Sequence, residues 1–86
     1  MRQKSNDKLE KLFSKAINIH QTGNLDEAEK IYKKIIKINS NIDVVQNNLG
    51  IIYLKSNKKR LAQSCFLSAT KINSNYIEAY NNLALL

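Results

Sequence analysis

The residues able to do chemistry are few and scattered. His20 is the only histidine and Cys65 the only cysteine in 86 residues. A histidine serves as a general base when a second group orients it or relays its proton. No serine, cysteine or carboxylate stands at a spacing from His20 that would make such a relay. His20 therefore reads as a groove-lining side chain, and Cys65, beside Phe66, as a buried structural thiol. One cysteine closes no intramolecular disulfide and builds no metal cluster. The sequence holds neither a glycine-rich phosphate loop nor a metal-ligand spacing. These patterns imply no cofactor and no metal, and a chain that is not an enzyme.

The polar residues that do recur are asparagines. The stretch INSNIDVVQNNLG, Ile38 to Gly50, returns 34 residues later as INSNYIEAYNNLA, Ile72 to Ala84, with seven of thirteen positions identical. A period between about 20 and 50 residues marks a repeat architecture in place of an ordinary globular core. An amide both donates and accepts, so it can bracket a peptide backbone in either direction, whatever the side chains. Asn48 and Asn82 fall at the same place in the two copies and are expected to stack as a short ladder.

The elements that must position these amides are helices. Proline is absent and glycine occurs twice, which suits a mostly helical chain. Met1 to Lys4 reads as a frayed basic end, with Ser5 or Asn6 as the cap of a first helix. Leu9, Leu12, Phe13, Ala16, Ile17 and Ile19 then recur at helical steps. Gly23 ends that helix, because glycine enters the left-handed conformation without a side-chain clash. Asn24 and Glu27 form a capping box for a second helix, whose apolar face is Ala28, Ile31, Tyr32, Ile35, Ile36 and Ile38. So short a turn makes the pair an antiparallel hairpin.

The plan repeats. Val44, Val45, Leu49, Ile52 and Tyr53 stripe a third helix that ends near Asn57, the next-best residue for a left-handed position. Asn57 stands 34 residues after Gly23. Leu61, Ala62, Cys65, Phe66, Ala69 and Ile72 stripe a fourth helix over roughly residues 59–72, and a fifth starts at Tyr76 or Ile77.

This 34-residue helix-turn-helix unit resembles the tetratricopeptide repeat. The family's small residue on the first helix falls on Ala16, Gly50 and Ala84, with its preceding leucine on Leu49 and Leu83. Its aromatic near the end of that helix falls on Tyr53 and its turn glycine on Gly23. The small residue where paired helices touch falls on Ala28 and Ala62, the aromatic after it on Tyr32 and Phe66, and a later small residue on Ala69. Lys15, Gln46 and Ile35 depart from the pattern, and Ser40 and Ser74 replace the usual proline. The resemblance implies an all-α, right-handed solenoid: residues 1–8 a basic tail and helix start, 9–42 repeat 1, 43–76 repeat 2, and 77–86 the first helix of a truncated repeat 3.

It also implies a function. First helices of such repeats line a concave groove that binds a protein or peptide partner. The groove residues expected here are Phe13, Ile17, Asn47, Asn48, Ile51, Leu54, Lys55, Asn81 and Asn82. The run Tyr80 to Ala84 is similar to the repeats of protein O-linked N-acetylglucosamine transferases, whose asparagine ladder holds extended peptide. The rival reading is thus a substrate-targeting arm of a larger enzyme of that type. A carboxylate clamp is not expected, since only Asn48 of its five positions matches.

Charge narrows the partners further. The formal net charge is +7, and no acidic residue lies between Asp43 and Glu78. Lys55, Lys58, Lys59 and Arg60 nevertheless cluster at a turn with no aromatic among them for base stacking, which argues against nucleic acid. No stretch approaches the roughly 18 apolar residues of a membrane helix, and the charged N-terminus lacks a signal-peptide core. The reading is a cytoplasmic scaffold without a membrane partner. The apolar end, Leu83, Leu85 and Leu86, suggests further repeats or a homodimer through that surface.

Overall fold

In a computed structural model, residues 2–86 are described, with side chains from Asp7 onward. Among them the secondary structure is wholly helical: α1 (Arg2–Gln21), α2 (Leu25–Ile38), α3 (Asp43–Lys55), α4 (Lys59–Ile72) and α5 (Ile77–Ala84). This is an all-α helical repeat fold. The chain forms two compact units, Met1–Ser40 and Asn41–Leu86. Helix α1 begins earlier than expected, so Ser5 and Asn6 are already helical and neither caps it. Met1, in the expected frayed end, lies outside the described residues.

In the first unit α1 packs on α2. Gly23 adopts φ 89°, and its N–H donates to the His20 carbonyl while that of Asn24 donates to the Ile19 carbonyl. These two bonds make a Schellman ending that satisfies carbonyls a helix terminus leaves open. Only half of the expected capping box forms. The Asn24 side chain accepts from the Glu27 N–H at 3.3 Å, but the Asn24 N–H is already committed to Ile19. Asp26 and Glu27 at the start of α2 and Lys37 at its end suit the helix dipole. Ala16, Ala28, Tyr32 and Ile35 are fully enclosed. Ile38, expected in the stripe, is instead 46% exposed, because the helix ends there.

In the second unit α4 packs on both α3 and α5. The turn after α3 repeats the one after α1: Asn57 sits at φ 62°, its N–H donates to the Leu54 carbonyl, and the Lys58 N–H donates to that of Tyr53. Asparagine thus fills the left-handed position that glycine fills in the first unit. The ends of α2 and α4 also correspond, with the N–H of Asn39 on the Ile35 carbonyl and that of Asn73 on the Ala69 carbonyl. Val45, Leu49, Ile52, Ala62, Phe66, Ala69 and Ala79 form the core, and Cys65 is buried with its thiol in no disulfide. Leu61, expected in the α4 stripe, lies near the start of that helix and is 49% exposed.

Candidate functional site

Helix α3 is the element on which the expected site residues converge, and it is covered on more than one side. Leu49, Gly50, Ile52 and Tyr53 are buried, and Gly50 lies directly under the Phe66 ring of α4. Asn47 is fully enclosed as well. Its side chain donates to Glu78 Oε2 at 3.2 Å and accepts from the Asn82 side-chain amide at 3.0 Å. The hydroxyl of Tyr76, which precedes α5, lies near enough to interact with the Asn47 side chain. Asn47 therefore fastens α5 to α3 and is no surface residue, a correction to its expected place in the groove. The reason is bonding capacity: a buried amide must place its donors and acceptor, and α5 supplies partners for both.

The asparagine ladder is corrected in the same way. Asn82 is bonded to Asn47, one position before its expected partner Asn48. A second fastening lies nearby, where the Asn73 amide donates to Asp43 Oδ2 at 2.9 Å and so joins the end of α4 to the start of α3. Burial raises the Tyr76 hydroxyl above its ordinary value near 10, the charges of Glu78 and Asp43 raise it further, and the interaction with the Asn47 side chain works against them.

The remaining expected residues of this unit stay open to solvent in part. Asn48, Ile51 and Leu54 are half-buried, Lys55 and Asn81 are exposed, and Asn82 is half-buried. Asn48, Ile51 and Leu54 follow one another at three-residue steps and so share one side of α3. Exposed apolar side chains continue on and after α5, with Ile77 at 72% and Leu85 at 70%.

In the first unit Phe13 and Ile17 are half-buried on α1. His20, expected to line a groove, is half-buried against α2. Its Nδ1 lies 3.1 Å from the Tyr32 hydroxyl, and the rings meet edge to face at 5.8 Å between centroids. Such a pairing supplies packing and a hydrogen bond between α1 and α2.

The 34-residue period, the paired turns and the contact of Gly50 with Phe66 have a counterpart among known families. The tetratricopeptide repeat model matches residues 20–42 and 45–76. The chain belongs to the tetratricopeptide repeat family. It is similar to the uncharacterized protein ycf37 of Pyropia yezoensis, at 37% identity over 76 residues, 86% of this chain and 40% of that one. It is also similar to the uncharacterized protein ycf37 of Porphyra purpurea, at 47% identity over 38 residues, 44% of this chain and 22% of that one. The chain spans less than half the length of these curated relatives. Among the described residues of this tetratricopeptide protein no helix is long and apolar enough to cross a membrane, and no three His, Cys, Asp or Glu side chains gather as metal ligands.

Sequence reasoning missed the network of Asn47, Tyr76, Glu78 and Asn82. Its signal was present in the doubled asparagines, but adjacent residues on a helix point about 100° apart. Which of the two turns inward is decided by α5, whose docking the local pattern does not specify.

Proposed function

We propose that this tetratricopeptide chain is a non-catalytic protein-interaction module that holds an extended peptide or a partner helix along the open side of α3 and α5. The observation that carries the reading is the contrast within α3. Val45, Asn47, Leu49, Ile52 and Tyr53 are buried, while Asn48, Ile51 and Leu54 remain part-exposed on a common side. Ile51 and Leu54 supply apolar contact, Asn48 and Asn81 supply amides for a partner backbone, and Lys55 supplies a cation. Asn82 has one amide bond committed to Asn47 and keeps capacity for another. Phe13 and Ile17 are the corresponding apolar residues of the first unit.

The test is selection of binders from a random peptide display library on the purified chain, followed by amide chemical-shift mapping of the strongest. Shifts concentrated in residues 47–55 and 78–82 support the reading. Shifts concentrated on the exposed residues of α4, such as Gln63, Ser64 and Leu67, count against it.

A further inference from the structure

A second surface lies within the first unit. Between α1 and α2, Lys8, Leu12, Lys34, Lys37 and Ile38 line an open cleft of about 410 Å³. Helical spacing makes this cleft. Leu12 stands four residues after Lys8, while Lys37 and Ile38 stand three and four after Lys34, so each helix presents one stripe to it. Leu12 is half-buried and Ile38 is 46% exposed, which gives the cleft an apolar floor.

The walls of the cleft carry only positive charge, while Glu27 lines the adjoining hollow that Lys34 and Lys37 also border. No carboxylate lines the cleft. Glu29, the acid of α2 nearest in sequence to the lysines, is engaged by Lys33 at 3.0 Å. The closest acid on α1, Asp7, lines the neighbouring hollow with Lys8 and Lys11. Among the described residues no ion pair engages Lys8, Lys34 or Lys37. Three ammonium groups around two aliphatic side chains ask for a ligand that is anionic and apolar together.

We propose that this cleft docks an acidic amphipathic segment of another protein, with one large aliphatic side chain on Leu12 and Ile38 and flanking carboxylates on Lys8, Lys34 and Lys37. Nucleic acid fits less well, since no aromatic side chain lines the cleft to stack on a base. An anionic membrane fits less well too, because only two aliphatic side chains stand here, among lysines, and they make no continuous apolar face to insert. None of its residues is among those named on α3 and α5, and the proposal does not rest on that reading.

The experiment uses the whole chain and a short fluorescent peptide with one leucine flanked on both sides by glutamates. Saturable binding is expected, with a loss of about tenfold in the Lys34→Glu, Lys37→Glu double variant. A Lys58→Glu, Lys59→Glu variant carries the same charge change elsewhere and should bind within about twofold of the parent. The peptide with glutamines in place of glutamates should not bind. Chemical-shift mapping on the unmodified chain, which needs no variant to fold, should place the peptide at residues 8–12 and 34–38. Equal losses in the two charge variants would mean diffuse attraction and overturn the proposal, as would shifts elsewhere or no saturable binding. Tighter binding to phosphatidylglycerol vesicles or to an oligonucleotide, lost in the Lys34 and Lys37 variant, would assign the cleft to a different partner and also overturn it.

Discussion

A Cβ placed on Gly50 would stand 2.5 Å from Cε1 and 2.8 Å from Cδ1 of Phe66, so the ring occupies the space a side chain would need. Phe66 is fully buried and cannot swing into solvent to make room. Gly50→Ala therefore gains about 1 kcal/mol of helix propensity but incurs an overpacking cost of about 1–3 kcal/mol. A net loss of stability is expected, seen as a lower midpoint in urea. The same substitution in a Phe66→Leu background should be neutral or stabilising, because the clashing atoms are gone. Equal effects in both backgrounds would show that the ring and the α3 backbone are not coupled.

The two left-handed turn positions differ in what fills them, and that difference is measurable. At Gly23 the space around a Cβ is empty within 4 Å, so only the backbone resists a side chain. Gly23→Ala should lose about 1–2 kcal/mol from the left-handed conformation alone. Asn57→Gly should be neutral or slightly stabilising, since glycine relieves the conformation asparagine tolerates. Thermal unfolding of the two variants in parallel checks both signs, and a destabilised Asn57→Gly would mean that the Asn57 side chain matters beyond its φ.

These turns were legible in the sequence for a local reason. A glycine or asparagine at a helix end is decided by the conformation of one residue, and the 34-residue offset marks both. The repeat resemblance marked Gly50 as a small position and Phe66 as an aromatic one, but it did not say that the two meet; the close approach is possible because a side chain is missing at Gly50. Asn47 was not legible. A stripe of period 3.6 describes a helix with one neighbour, but α3 meets both α4 and α5, and its inward amide lies off the apolar stripe. The exposure of Ile38 and Leu61 escaped for a related reason: periodicity says which side of a helix is apolar, not how far the neighbouring helix extends along it.

Asn47→Ala should loosen α5 more than the rest of the second unit. An eight-residue helix is too short to persist alone, and the Asn47 amide supplies its side-chain bonds to α3. Losing these bonds and opening a small cavity costs about 1–3 kcal/mol. Amide hydrogen exchange should quicken about tenfold or more across Ile77–Ala84 while α1 and α2 keep their protection. Uniform acceleration over the chain would instead mean that Asn47 supports global stability only.

Tyr76 makes the second unit sensitive to alkali. Burial is the main cause of its raised pKa, with Glu78 and Asp43 adding repulsion, so the folded chain favours the neutral phenol more than the unfolded chain does. The sign follows from linkage: the contribution is fully present below the unfolded value near pH 10 and is lost as pH rises through the folded value. Tyr76→Phe removes both the titrating hydroxyl and its interaction with the Asn47 side chain. At neutral pH the variant should be the less stable of the two. As pH rises above about 10 the parent should lose stability faster, so the difference narrows. Comparing the two chains cancels the ionisation of the remaining tyrosines, which both share. Chemical denaturation at a series of pH values measures the gap directly, and a gap constant across this range would assign the alkaline loss to a group other than Tyr76.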